Sequence, residues 1–217
     1  MMNRKVTTMV TTMVLLAAKM GMAYDIVRVE ETWELSIGDP SIERNAPQVT
    51  MCMSPSSDAN SQYFALSLNF RTQPDYAPGG MQLSVFHDES LASFVHAPIE
   101  DLLSHGAETV RWTQTMELNQ GTVTFDITDG TSSSWGSFGG AGWLRQSIDT
   151  GRPNLNGYRP TVSLSESEIG YAGNRVASLT LKRIRWYASN GKVYEVNAPF
   201  DIDTDLDPWS NEDPDSE

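Results

Sequence analysis

Lysine is scarce in this 217-residue sequence, cysteine occurs once, and no apolar run is long enough to cross a bilayer. Each shortage excludes something. With 15 basic residues against 28 acidic ones the formal charge is −13, which excludes a nucleic-acid or anionic-membrane surface, since both need clustered Lys and Arg. A single cysteine excludes a disulfide scaffold. In Val49-Thr50-Met51-Cys52-Met53 it reads as a small packed residue on a strand. The apolar stretch Val6–Ala18 falls short of the ~20 residues that a ~30 Å hydrocarbon core demands. No second such stretch stands near the C-terminus, so no membrane anchor is expected, and no Asn-x-Ser/Thr sequon occurs. His87, His96 and His105 stand nine apart, without the His-x-His or His-x-x-x-His pairing that chelates zinc. The chain also lacks a Gly-x-Ser-x-Gly elbow. Gly136-Ser137-Phe138-Gly139 lacks the lysine of a phosphate-binding loop.

What is present begins with a leader. Arg4 and Lys5 precede the apolar stretch, and Gly21-Met22-Ala23 offers small residues at a cleavage site, so residues 1–23 read as a signal peptide and the protein as secreted or periplasmic. Removing them takes away Arg4, Lys5 and Lys19 and no acid, leaving 12 basic against 28 acidic residues, a net −16. The other end is acidic throughout. From Asp201 to Glu217 no basic residue occurs, and residues 204–217 read as a disordered tail because such a run buries too little apolar surface to offset its ordering entropy. Asp201, Asp203, Asp205 and Asp207, with Glu212, have the acidic spacing of a helix–loop–helix calcium site. Leu206 occupies the position where that loop needs glycine, and Pro208 follows. No cofactor is expected; a calcium ion held by loop carbonyls elsewhere would leave no mark in the sequence.

Between the two ends the hydrophobic period is two. In Val29–Ile37 the odd positions are mostly apolar, and Phe64, Leu66, Leu68 and Phe70 repeat the rhythm. So do Met81-Leu83-Val85, Val110-Trp112, Val123-Phe125-Ile127 and Val162-Leu164. Asn190-Gly191 predicts a two-residue type I′ hairpin that sets Tyr187 against Tyr194 and Trp186 against Glu195. Along Val176–Ala188 the apolar face changes sides midway, which predicts a bulge or a crossing between sheets. Pro98, Glu100, Asp101 and Gly106 frame one short helix near 98–105. Residues 24–203 are therefore expected to form one all-β domain, an antiparallel β-sandwich of jelly-roll type.

Candidate chemistry centres on Gly130–Trp143. Its glycines allow tight turns, and Trp135, Phe138 and Trp143 supply flat apolar faces of the kind that stack on sugars, with Arg145 and Asn156 as polar anchors. The competing reading makes these aromatics a plug for one end of the sandwich. Glu166 and Glu168, two apart on an expected strand, would share a face, as a glycosidase's paired carboxyls must. Arg175, Arg183 and Arg185 form the densest basic spot and read as ion-pair partners for Glu166, Glu168 or Glu195, with a sulfated or uronic polymer as the alternative partner.

Asp129–Gly142, Leu155-Asn156-Gly157-Tyr158 and Gly170–Val176 resemble segments of exported bacterial β-sandwich proteins, a group without an assigned activity, and the architecture is loosely similar to jelly-roll lectin and carbohydrate-binding modules. The resemblance covers about a fifth of the chain and implies fold and compartment, not residue roles. The leading expectation is a non-catalytic module that takes a polysaccharide or surface glycan. The alternatives are a structural or protein-interaction domain and a glycoside hydrolase or lyase. Oligomeric state is not readable from the sequence.

Overall fold

A computed structural model describes residues 24–38, 47–69, 80–97, 107–140, 143–171, 176–197 and 199–202. The expected leader, the helix near 98–105 and the tail from 204 lie outside them. The described residues form thirteen strands and one short helix. In chain order these are β1 (Ile26–Ile37), β2 (Gln48–Met53), β3 (Gln62–Leu68), β4 (Met81–His87), β5 (Ser90–His96), β6 (Glu108–Asn119), β7 (Thr122–Ser132), β8 (Gly136–Phe138) and β9 (Arg145–Asp149). There follow α1 (Pro160–Glu166), β10 (Glu168–Tyr171), β11 (Val176–Ala188), β12 (Val193–Val196) and β13 (Phe200–Asp201). They make two antiparallel sheets, as an all-β sandwich requires. The larger runs β12-β11-β1-β6-β7-β8, with β13 on β11 and β9 on β7; the smaller runs β10-β2-β3-β4-β5. Among the described residues no helix is long and apolar enough to cross a membrane.

Alternation builds the core, because successive side chains on a strand point to opposite faces. Val29, Trp33, Leu35 and Ile37 of β1 face Leu66, Leu68 and Leu83 of the smaller sheet within one buried cluster. Trp33 and Trp112 are cross-strand partners with parallel rings 6.4 Å apart. Phe64 and Phe125 meet between the sheets at 5.1 Å. Each such side chain contributes about 1.5–3 kcal/mol by leaving water. One polar residue shares the inward register of β1: Glu31, fully buried.

Turns set the registers. Asp88-Glu89 joins β4 to β5, and Gln120-Gly121 joins β6 to β7; both residues of each loop have positive φ, the signature of a type I′ hairpin. The expected bulge in β11 falls at Lys182, where Thr32 pairs with Arg183 but Trp33 with Leu181. Two expectations need correction. At the last hairpin only Gly191 has positive φ, so the loop is three residues, Ser189–Gly191, closed by the Ala188 N–H donating to the Lys192 carbonyl at 2.8 Å. That slips the register by one: Trp186 faces Tyr194, and Tyr187 faces Val193. The apolar pair Val162 and Leu164 belongs to α1, not to a strand. Two residues cannot distinguish the periods, and Pro160 at the first helical turn decides for helix.

Candidate functional site

The outer faces of the two sheets differ in kind. On the larger sheet several charges are paired. Arg28 Nη2 donates to Glu30 Oε1 at 2.5 Å, and Tyr187 to Glu30 Oε2 at 2.6 Å. Arg111 Nε donates to Glu34 at 2.7 Å, and Arg185 pairs with Glu195. On the smaller sheet the register lines up Tyr63, Phe86 and Leu91 across β3, β4 and β5, with Cys52, Ala65, Ser84 and Phe94 in the next row. Tyr63 and Phe86 stack at 4.6 Å, 6° from parallel. Leu91 and Phe94 are 50% and 54% exposed. A third row is polar: Thr50 and Ser67 hydroxyls lie 3.0 Å apart, His96 Nε2 is 2.5 Å from Gln82 Oε1, and Gln82 Nε2 donates to Ser84.

This apolar band runs into a groove. A cavity of about 340 Å³ is bordered by Tyr63, Phe86, Cys52, Asn60, Glu89, Glu166 and Glu168. It adjoins a second of about 520 Å³, bordered by Asp58, Asn60, Thr161 and Glu166 among others. Three local structures make the walls. The loop after β2 is held by Ser54 and Ser56 hydroxyls donating to the Asp58 carbonyl at 2.6 and 2.8 Å. Gly157 passes over it so closely that a Cβ would sit 3.1 Å from the Pro55 carbonyl oxygen. The Asp88-Glu89 turn delivers Glu89 from a residue at φ +62°, a conformation that costs a side-chain-bearing residue about 1 kcal/mol or more. Glu166 ends α1 and Glu168 begins β10, so they flank an extended Ser167 instead of sharing one strand, and both reach the same cavity.

Helix α1 has only seven residues and no side-chain cap at its start, so its own hydrogen bonds cannot hold it in place. Glu31 does. Tyr158 and Ser163 hydroxyls each donate to Oε1 at 2.5 Å, while Trp33 Nε1 and Gln114 Nε2 donate to Oε2 at 2.9 and 2.6 Å. Ser167 then donates to the Ser163 carbonyl at 2.6 Å and accepts from the Cys52 N–H at 3.1 Å. A carboxylate inside the sandwich thus positions the wall of a groove outside it.

Burial governs the ionisable groups here. It raises the Glu31 pKa despite four donors that pull the other way. Gln114 Oε1 is buried and unpartnered, so a half-turn of that amide would give a protonated Glu31 an acceptor. Burial first, then the charges of Glu31 and Glu166, pushes the Cys52 thiol up. Burial and nearby acids raise Tyr63 likewise. Thiol and phenol therefore stay neutral at physiological pH, which suits hydrogen bonding and apolar contact better than nucleophilic attack. Among the described residues no three His, Cys, Asp or Glu side chains are grouped to hold a metal ion.

The residues singled out from sequence do not converge on one site. Trp135 and Phe138 are buried, at 7% and 5% exposure, edge to face at 5.9 Å; Trp143, half-buried, stacks on Phe138. Gly130 makes room for the Phe138 ring, 2.1 Å from where a Cβ would stand. Glu108 holds the preceding turn through the Ser134 N–H and hydroxyl. The aromatics fill one end of the sandwich, so their faces are not open to a sugar. Arg145 lies exposed, 3.9 Å from Asp126. Asn156 accepts from the Ile26 N–H at 2.8 Å. Ile26 and Ile37 are the two ends of β1, and Ile37 pairs with Glu108, so Asn156 stands about 35 Å from the Trp135 turn. Sequence reasoning missed Tyr63, Phe86, Leu91 and Phe94, although aromatics in the outward register of neighbouring strands were the available signal. It also missed Glu31, the one acid in the inward register of β1.

No protein-family model matches this chain, and no curated protein does. Among solved structures, SCP-B, a member of the eqolisin family of peptidases in complex with the tripeptide Ala-Ile-His, is similar at 11% identity over 81% of each chain, with a TM-score of 0.31. A superposition that loose transfers no residue role to this chain.

Proposed function

We propose that this chain is an exported, non-catalytic carbohydrate-binding module that holds its glycan on the outer face of the smaller sheet. One observation carries the reading: the outward row of half-buried Tyr63 and Phe86 and exposed Leu91, with exposed Phe94 beside it, leads into a groove bordered by Asn60, Glu166 and Glu168. A pyranose offers an apolar C–H face to an aromatic ring and hydroxyls to carboxylates and amides. Contiguous exposed apolar surface on a folded domain marks a contact site. Export rests on the signal-like residues 1–23.

Affinity electrophoresis through a panel of neutral, anionic and amine-bearing polysaccharides tests this. Wild type is expected to be retarded by at least one polymer, Tyr63→Ala by none, and Trp143→Ala as wild type. Equal mobility of wild type and Tyr63→Ala in every gel would remove the proposal. The retained polymers are also assayed for new reducing ends; release that Glu166→Gln abolishes would replace binding alone by hydrolysis.

A second reading, a protein-interaction domain, is favoured by β5. Among the described residues it ends the smaller sheet; it carries no Asp, Glu, Lys or Arg, and exposes Leu91 and Phe94. An uncharged edge strand is a ready template for another chain. Solution mass measured by light scattering across a concentration series separates the readings: a dimer that Phe94→Lys dissociates supports the second.

A further inference from the structure

We infer that the groove selects a positively charged ligand, a glycan bearing free amino groups; this rests on the carbohydrate reading and specifies the charge of what is bound. Among the described residues the two adjoining cavities are bordered by the acids Asp58, Glu89, Glu166 and Glu168, and by no Lys, Arg or His. Among the described residues none of these four carboxylates has an ion-pair partner, whereas Glu30, Glu34 and Glu195 on the larger sheet each have an arginine. Arginines thus offset several acids on one outer face, while the groove's four acids have no such partner among the described residues. The stacked Tyr63 and Phe86 rings lie on the groove wall between Glu89 and Glu168. An aromatic face attracts a cation as well as a C–H surface, so an amino sugar uses both of its features there. Sulfated or uronic chains meet four carboxylates that no cation among the described residues offsets, in a protein already at −13. Neutral sugars keep the stacking and forgo the charge. A basic peptide would share the charge but not the need for a flat stacking surface of ring size, so the aromatic pair favours the sugar.

Calorimetric titration with a glucosamine hexasaccharide, its N-acetylated counterpart and an oligouronate tests the inference at a pH where the amine is protonated. The amine-bearing oligomer is expected to bind about tenfold more tightly than the acetylated one, with the preference shrinking as salt shortens the screening length. The oligouronate is expected not to bind. Glu166→Gln combined with Glu168→Gln alters two exposed side chains. It should erase the preference, so that the amine-bearing oligomer binds no more tightly than the acetylated one. Equal, salt-indifferent binding of both oligosaccharides, lost in Tyr63→Ala, overturns the charge inference while the glycan reading stands. Failure of every sugar to bind overturns both, and a lysine-rich peptide that then binds in a Tyr63-dependent way reassigns the groove to a protein partner.

Discussion

Two aromatic groups in this molecule have similar composition and opposite surroundings. Trp135, Phe138 and Trp143 pack edge and face on one another at one end of the core. Tyr63 and Phe86 stack just as closely on the outside of the smaller sheet, and Leu91 and Phe94 extend the row into solvent. In the first group the glycines matter because they let rings approach backbone, as at Gly130; in the second the strand register alone aligns the side chains. A glycine-rich aromatic loop is thus a poorer sign of a ligand face than aromatics placed where alternation calls for polar residues.

The largest effect should come from breaking the first group. Trp135→Ala is expected to lower the unfolding free energy by about 3–5 kcal/mol in urea titration, as for other buried aromatics, and to leave glycan retention of the folded fraction unchanged. A loss under about 1 kcal/mol would mean the ring is not serving as core. Glu31→Ala comes next. It strips four buried donors of their acceptor, at a cost on the order of 3 kcal/mol, and should speed hydrogen exchange through α1. Exchange unchanged between residues 160 and 167 would show that Glu31 does not hold that helix.

The acids of β1 sharpen the contrast between inside and outside through pH. Burial keeps Glu31 above the ordinary value of 4.5 in the folded chain, so the folded state retains a proton that the unfolded state releases. Its contribution is fully present below 4.5 and is lost as pH rises through the folded value. Glu34, three residues on and facing outward, behaves inversely. Partial burial raises it, but Arg111 and Lys182 outweigh that and hold it below 4.5. Its contribution is present above 4.5 and fades as pH falls through the lowered value. Denaturant midpoints across a pH series should show Glu31→Gln removing the first slope and Glu34→Gln the second; parallel profiles for both variants would contradict the assignment.

Smaller still is the stability effect of Tyr63→Ala, about 1 kcal/mol, because the ring is half-buried. Binding should vanish with it, the reverse of the Trp135 pattern. The smallest effect belongs to the paired face. A double-mutant cycle on Arg111 and Glu34 should give about 0.2–1 kcal/mol, shrinking in high salt. A coupling above 2 kcal/mol would make that face a structural clamp instead of a hydrated one.

Alternation alone determined that this chain makes strands, which residues of β1, β3, β4, β6 and β7 face inward, and that β11 changes its apolar face midway. Those are consequences of a two-residue repeat, which is local and survives in any arrangement of sheets. In β11 the structure decided for a bulge over a crossing between sheets. The last hairpin was half legible: Asn190-Gly191 marked the turn, but only the three-dimensional path showed that Asn190 keeps negative φ and the loop takes a third residue. The site was scarcely legible. Nothing local tells Tyr63 that Phe86 will lie beside it, Glu166 that a helix will end there, or Glu31 that Tyr158 and Ser163 will reach it from more than 120 positions away. Those juxtapositions depend on which strands pair and which loops cross, and that is decided by how two sheets bury their apolar faces together.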